Sequence, residues 1–183
     1  MAEISFEALR CCQLFYGISD ELLEQLVPAF EEVICPEGEL LFAEGDEGDA
    51  FYLVVGGVVR LRRQASAGVY LTVADLGPGE VFGEMSLITS APRTTDCVAL
   101  ESSRLWKLSR SAYEGLQVSG LPAYSAVLKN LTALLCQRLS GATAKVAGLI
   151  GQLSEAESQK ADLKKRVEMN RSGLVNFLAS LGK

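Results

Sequence analysis

The sequence predicts an α+β protein in which an antiparallel, jelly-roll-like β-roll lies between N-terminal helices and a long C-terminal helix. Two observations predict this class. Short runs rich in β-branched and aromatic residues, separated by glycine-rich turns, extend from residue 31 to residue 109. After Pro122 the apolar residues recur at helical spacing instead. We therefore divide the chain into a β-roll with its N-terminal helical segment, 1–122, and a long helix with coiled coil and apolar tail, 123–183.

The first thirty residues carry the signals of a helix. Ser19 is followed by two acids, Asp20 and Glu21, which is the order expected at a helix start, and Pro28 lies near the expected end. We predict that this N-terminal segment is helical.

The middle of the chain has the pattern of short strands. Runs such as AFYLVV and VYLTVADL alternate with the turns EGDEGD and GPGE. This spacing is typical of an antiparallel roll or barrel, so we predict that the whole stretch is β. Glycine adopts positive φ without steric cost, and we expect the turn glycines to do so. These glycines are Gly45, Gly48, Gly57, Gly77, Gly79 and Gly83.

The C-terminal segment carries a heptad seam, apolar at eleven of fourteen positions taken in alternating steps of four and three residues. The seam consists of Leu128, Thr132, Leu135, Leu139, Ala142, Val146, Leu149, Leu153, Ala156, Lys160, Leu163, Val167, Asn170 and Leu174. Glycines cost about 1 kcal/mol each in a helix interior, and four of them leave open whether this helix is broken or bent. They are Gly141, Gly148, Gly151 and Gly173. Because the register never shifts, we favour a homodimer seam over a loosely ordered tail, and we expect the apolar cluster from Gly173 to Leu181 to dock on a partner.

The composition excludes several classes of protein. The chain contains no histidine, which excludes histidine-dependent catalysis and the histidine metal site of a cupin enzyme, so we predict no enzyme, metal or cofactor. Its net charge of -6 argues against binding nucleic acid. The five scattered cysteines are predicted to be reduced and mostly buried. Without an uncharged run of about 20 residues or a secretory leader, the chain is predicted to be cytoplasmic and to lack a membrane span.

The segment from Val81 to Ala99 contains the residues that indicate a binding site. It places Glu84 directly after a glycine and Arg93 nine residues later, in a turn-like segment between strands. Arginine offers a planar fork of donors that matches two phosphate oxygens, and small residues around it let backbone N–H groups approach the same anion. An ionised Glu only accepts hydrogen bonds and so complements a sugar hydroxyl. The residues therefore predict a binding site for a ribose phosphate.

This segment, VFGEMSLITSAPRTTDCVA, resembles the phosphate-binding cassette of the cyclic-nucleotide-binding domain family. The upstream stretch LFAEGDEGDAFYLVVGG, residues 41–57, is similar to the glycine-punctuated hairpin of the same family. The resemblance covers about Phe6 to Val146 and implies an eight-stranded β-roll that binds cAMP or cGMP. Carried over by position, Gly83 and Glu84 bind the ribose and Arg93 the phosphate, while Thr94 lies beside the phosphate and the base. The predicted ligand-binding set is completed by Phe82, Met85, Ser86 and Thr95.

The chain departs from the family pattern after Arg93. Thr95 stands where the family usually has Ala, and Cys97 occupies a typically aliphatic position. Asp96 adds a negative charge that would weaken anion binding if it faced the pocket, but strand alternation is expected to turn it outward.

Two further candidates lie on the long helix, which resembles that of bacterial sensors of the catabolite-activator type. In those proteins an Arg at the place of Arg138 approaches the ribose-binding Glu, and hydroxyl residues near Thr143 touch the base. The alternative, that both are solvated residues of an exposed helix face, stays open.

These observations predict a non-catalytic cyclic-nucleotide sensor that undergoes allosteric change and regulates a protein partner through its C-terminal helix. The alternative is a nucleotide-free β-roll scaffold that serves protein interaction and dimerisation. A catabolite-activator-type transcription factor is not expected, because the heptads continue to Leu174 where that class has a helix-turn-helix.

Overall fold

The computed structural model describes residues 9–181, with side chains as far as residue 172. The chain divides into two compact units, residues 1–134 and residues 135–183. The first unit contains the β structure and the start of the last helix, and the second contains the remainder of that helix. The domain boundary drawn from the sequence at residue 122 stays a prediction.

The N-terminal segment is helical only in part. A 3₁₀ turn at Gln13–Phe15 precedes helix α1, Asp20–Leu26, and a second 3₁₀ turn follows at Val27–Ala29. Ser19 has the extended backbone of an N-cap residue, and both acids lie in the first turn of α1, as the sequence predicts. The first eight residues of the predicted helical segment lie outside the described residues.

Eight strands follow in the described part of the chain, and every pairing between them is antiparallel, which confirms the predicted β-roll. They form two four-stranded sheets, in the orders β1-β8-β3-β6 and β2-β7-β4-β5. Strands from both sheets supply the buried apolar side chains of one core, so the sheets pack against each other. The strands are β1 (Phe30–Cys35), β2 (Leu40–Phe42), β3 (Ala50–Gly56), β4 (Val59–Ser66), β5 (Val69–Leu76), β6 (Val81–Phe82), β7 (Asp96–Ala99) and β8 (Ser103–Ser109).

The expectation that residues 31–109 are β throughout is wrong at one place. A short helix, α2 (Glu84–Thr89), lies between β6 and β7. Six residues are too few for helical periodicity to emerge from the sequence, and Gly83 turns the chain into the helix with a φ of 78°. The sequence pattern therefore did not reveal the helical structure of the segment that contains most of the predicted ligand-binding residues.

Within the described residues, two helices follow the last strand. Helix α3 (Arg110–Val118) begins after Ser109, whose Oγ accepts a hydrogen bond of 3.2 Å from the amide of Ala112. Helix α4 (Pro122–Leu181) is one continuous helix through all four glycine positions, because each glycine costs little against so many satisfied backbone hydrogen bonds.

The heptad seam divides between the two units. In the first unit, the seam residue Leu128 is 37% exposed, whereas the buried residues near the start of α4, Val127 and Leu131, lie outside the seam. In the second unit, Leu135 is partly buried, and the large apolar seam residues from Leu139 to Val167 are more than half exposed. Those identified as exposed are Leu139, Val146, Leu149, Leu153, Leu163 and Val167. A stripe of this length remains available for pairing.

Of the turn glycines, Gly45, Gly57, Gly79 and Gly83 have positive φ, as predicted. The same prediction is wrong for Gly48 and Gly77, which do not adopt it. Gly48 is required for a different reason, the close approach of a neighbouring segment.

The cysteine prediction is confirmed. All five thiols are free, and three of them, Cys12, Cys35 and Cys97, are buried. Within the part of the chain that the structure describes, no helix is long and apolar enough to cross a membrane.

Candidate ligand-binding site

The site is built around α2 and the loop that follows it, which together make up the centre of the cassette, residues 81–99. Helix α2 begins after Gly83 and ends at Thr89, and the next residue, Ser90, has a left-handed backbone with a φ of 57°. This sharp ending reverses the chain towards β7. Glu84 and Arg93, at the two ends of the segment, are each only 4% exposed. The protein thus buries two groups that carry opposite charge when ionised.

Arg93 is fixed from several sides. Its Nη1 donates to the carbonyl oxygen of Gly83 at 3.1 Å, and its Nη2 lies 3.5 Å from Oδ1 of the largely exposed Asp49. Its Cζ lies 4.3 Å from the centre of the Phe42 ring and 5.7 Å from that of Tyr52. Burial lowers the pKa of the guanidinium, although nearby Tyr52 and Asp49 oppose that change. Contacts within the protein therefore fix the position of the Arg93 guanidinium in the absence of a ligand.

One donor of this guanidinium has no protein partner. Among the described residues, the Nε of Arg93 is buried without a hydrogen bond. A buried charged donor left unpaired is costly, and its natural complement is an anionic oxygen acceptor. The donor set fits a phosphate.

Gly83 has two reasons to be glycine. Its positive φ disfavours any side chain, and a Cβ would lie 2.6 Å from Nη1 of Arg93 and 3.2 Å from the carbonyl oxygen of Ala50. The glycine that precedes Glu84 in the sequence therefore makes room for the Arg93 guanidinium. This is the physical link between two residues that the motif places ten positions apart.

The two sequence signatures contact each other directly. We call residues 45–49, between β2 and β3, the glycine loop. The amide of Gly45 donates to the carbonyl of Arg93 at 2.9 Å, and the amide of Arg93 donates to the carbonyl of Asp46 at 2.8 Å. A Cβ on Gly48 would lie 2.0 Å from the Cβ of Ser86. The glycine loop thus holds the backbone of the cassette at both α2 and Arg93.

The other predicted residues of the cassette have distinct surroundings. Ser86 is buried and its Oγ donates to the carbonyl of Pro92 at 3.3 Å. Phe82 is fully buried in the core, where its ring stacks on Tyr52 at 5.2 Å. Met85 and Thr94 are exposed, while Thr95 is half-buried. Contact of any of these with a ligand stays a prediction.

The two candidates on the long helix belong to the second unit. Arg138 is half-buried, and Thr143 is exposed, with its Oγ1 donating to the carbonyl of Leu139 at 2.9 Å. This is the usual local bond of a helical threonine. Their predicted ligand contacts stay predictions.

Asp96 is turned away from the core, as strand alternation predicts. Its Oδ1 accepts a hydrogen bond of 2.9 Å from the amide of Glu44, and its Oδ2 lies 3.2 Å from Nε of Arg62. Cys97, on the opposite face of β7, is fully buried, and burial raises the pKa of its thiol to about 12. Two of the three departures from the family pattern are thereby accounted for: the Asp96 carboxylate is paired, and the Cys97 thiol acts as a small neutral core residue.

Two residues near the site were missed in the sequence. Asp49 lies within the glycine loop and approaches Arg93, but nothing in the motif distinguishes it from its acidic neighbours. Arg110, the first residue of α3, donates to backbone atoms of the cassette and of the glycine loop. No local pattern connects it with residues more than twenty positions away.

The family model that matches the chain is the cyclic nucleotide-binding domain, over residues 32–118. A solved structure of a cyclic nucleotide-binding domain from Methylobacillus flagellatus is similar, with a TM-score of 0.67 and 30% identity, and the match covers 74% of this chain and 76% of that one. The chain belongs to the cyclic nucleotide-binding domain family. Both signature segments lie inside the matched range, so the cassette and the glycine loop are parts of its cyclic nucleotide-binding domain.

Two curated relatives are similar over this domain. The cyclic AMP receptor protein of Thermus thermophilus is 42% identical over 126 residues, which cover 69% of this chain and 56% of that protein. The cAMP-dependent protein kinase regulatory subunit of Yarrowia lipolytica is 33% identical over 107 residues, which cover 58% of this chain and 27% of that protein. The match thus spans little more than half of the first relative and about a quarter of the second.

Proposed function

We propose that this chain is a non-catalytic cyclic-nucleotide sensor that binds cAMP or cGMP at the cassette. The observation that carries the proposal is the buried Arg93, whose Nε is without a partner in the described part of the chain. A cyclic phosphate supplies the anionic acceptor that this donor lacks. Because the guanidinium is already held by Gly83 and by the two aromatic rings, binding costs little ordering of the side chain.

Glu84 completes the proposed recognition. It begins α2, directly after the glycine whose carbonyl binds Arg93, and its carboxylate suits the hydroxyl of a ribose. We place the ribose at Gly83 and Glu84, the phosphate at Arg93 and Ser86, and the base towards the accessible side formed by Met85, Thr94 and Thr95. Arg138 and Thr143 remain proposed as further ligand-binding residues.

The choice of nucleotide is supported by the relatives. Both are named for cyclic AMP or for dependence on it, which favours cAMP over cGMP for this chain. We propose cAMP as the first ligand to test and cGMP as its comparison. The expectations of a cytoplasmic location and of no nucleic-acid partner stay predictions, since the relatives are longer than the part they share with this chain.

Calorimetric titration and thermal unfolding test the proposal. A ligand present at 100 times its dissociation constant is expected to raise the free energy of unfolding by about 2.7 kcal/mol. Saturable binding of cAMP, with a matching rise in Tm, supports the sensor. If neither cAMP nor cGMP gives heat of binding or a rise in Tm, the proposal is contradicted and the nucleotide-free scaffold is favoured. Adenosine, which lacks the phosphate, is the matched control and is expected to bind far more weakly.

We propose further that α4 provides the output, by pairing with a second copy and by presenting its distal part to a protein partner. The exposed seam in the second unit supports this, because apolar residues at seven-residue spacing are stabilised when two helices pack. For the output to depend on ligand, the nucleotide must bind one arrangement of the chain more tightly than another. Hydrogen exchange along α4 is therefore expected to differ between the empty and the cAMP-bound protein.

Sedimentation of the full chain tests the pairing. We expect a dimer at micromolar concentration, and we expect Leu149→Asp to shift it to monomer, because the change places a charge in the apolar seam. Ser154→Asp is the matched control, since it adds the same charge at an exposed position outside the seam. A wild-type chain that stays monomeric at high concentration, or equal behaviour of the two variants, would show that the seam does not mediate pairing.

A further inference from the structure

Arg110 makes an unusual set of contacts for a residue at the start of a helix. Its Nη1 donates to the carbonyl oxygen of Leu87 at 2.9 Å and to Oγ of Ser90 at 3.0 Å. Its Nη2 donates to the carbonyl oxygens of Gly48 at 2.7 Å and of Ser86 at 2.9 Å. All four acceptors lie in the cassette or the glycine loop, and three are backbone carbonyls. Arg110 therefore binds the polypeptide that surrounds the proposed phosphate site.

Two of the acceptors of Arg110, the carbonyls of Ser86 and Leu87, lie in the last turn of α2. Helical amides run out there, and the negative end of the helix dipole favours a cation. The carbonyl of Ser86 also accepts a hydrogen bond of 2.9 Å from the amide of Ser90. Ser90, which ends the helix in a left-handed conformation, holds the chain reversal that leads to Arg93. A guanidinium bonded on both sides of this reversal fixes its geometry.

Arg110 also joins the cassette to the glycine loop and to α3. Its side chain reaches Gly48, and its backbone amide donates to the carbonyl of Asp49 at 2.6 Å. Asp49 in turn approaches Arg93 through its carboxylate. One residue at the start of α3 thus contacts both segments that support Arg93.

We infer that Arg110 is a positioning residue for the nucleotide site: it clamps the end of α2 to the glycine loop and so holds the cassette in the shape that receives the phosphate. The inference rests on the proposed function for its ligand, but the clamp itself concerns only residues of this chain. A lysine cannot replace it fully, because an ammonium is a compact donor without the planar fork that reaches all four oxygens.

The test compares the full-length wild type with Arg110→Ala, Arg110→Lys and Arg104→Ala. Arg104 is the matched control: it lies on β8, is half exposed, and has its nearest carboxylate, that of Glu32, at 3.8 Å. Each protein is titrated with cAMP by calorimetry, and hydrogen exchange of the amides of residues 84–90 is measured with and without cAMP. Thermal unfolding of the empty proteins is recorded separately.

We expect Arg110→Ala to raise the dissociation constant for cAMP about tenfold or more, with faster exchange of the 84–90 amides, because the cassette is no longer held. Arg110→Lys is expected to restore part of both, and Arg104→Ala to match the wild type. Wild-type affinity and wild-type exchange in Arg110→Ala would overturn the inference. If Arg110→Ala does not fold, the lysine variant decides: unchanged affinity and unchanged exchange overturn the clamp.

Failure of the proposed function would look different. In that case the wild type itself binds neither nucleotide. Exchange in the empty proteins still tests the clamp, since faster exchange of residues 84–90 in Arg110→Ala supports it and equal exchange overturns it.

Discussion

Arg93→Ala is expected to weaken binding of cAMP by a factor of about 100 or more, because it removes a buried, charge-assisted fork from the proposed phosphate site. Calorimetric titration measures the change. Arg93 is 4% exposed and one of its donors has no partner among the described residues, so a ligand oxygen that pairs with it is shielded from water. Both conditions raise the contribution of the pair to affinity.

Two comparisons show whether the loss is specific. Arg93→Lys keeps the charge without the fork and is expected to bind with intermediate affinity. Arg63→Ala removes an exposed arginine that pairs with Glu44 at 2.9 Å, and it should leave binding unchanged. If Arg93→Ala binds as tightly as the wild type while remaining folded, the phosphate lies elsewhere and the proposed site is wrong.

The second large effect is expected from Gly48→Ala. The new Cβ would lie 2.0 Å from the Cβ of Ser86 and 3.2 Å from the carbonyl oxygen of Ala91, and neither can move without the backbone of the cassette. Overpacking of this kind costs about 1–3 kcal/mol of stability. The displaced cassette is also expected to bind cAMP about tenfold or more weakly, since small errors in position weaken a bidentate contact. Thermal unfolding and titration measure the two effects separately.

Gly56→Ala provides the control on the same stretch of chain. Gly56 lies at the end of β3, and a Cβ there would meet nothing within 4 Å. Alanine is expected to be neutral or slightly stabilising at this position, because glycine loses more conformational freedom on folding. Equal losses in the two variants would mean that any methyl group in this region is harmful, and the contact between the glycine loop and α2 would then have no special role.

The β-roll could be predicted from the sequence because its signals are local. Alternating apolar residues and glycine turns mark each strand, and the antiparallel pairing of neighbours such as β4 and β5 follows from the short turn between them. The continuity of α4 was harder to predict. The sequence shows the glycines that destabilise the helix, but it does not show the many backbone hydrogen bonds that outweigh their cost.

The proposed site could be predicted from the sequence only in part. Glu84 and Arg93 stand out as charged residues in a segment of small residues, and the resemblance to a family made them candidates. The structure shows that both are buried. Helix α2 is contacted from outside its own six residues, above all by Arg110. Such contacts join positions far apart in the chain, and no periodicity records them. For the same reason the need for glycine at position 48 was assigned to a turn, whereas the structure attributes it to Ser86.

The burial of Arg93 also bears on the rate at which a bound nucleotide dissociates. Its guanidinium is held between the carbonyl of Gly83 and the rings of Phe42 and Tyr52, so a nucleotide meets a receptor that needs little rearrangement. Differences in affinity between related complexes arise mostly from the dissociation rate, and a desolvated ion pair is slow to separate. For a sensor of the proposed kind, the burial of the Arg93 guanidinium would set how long the signal persists after the free nucleotide has been removed.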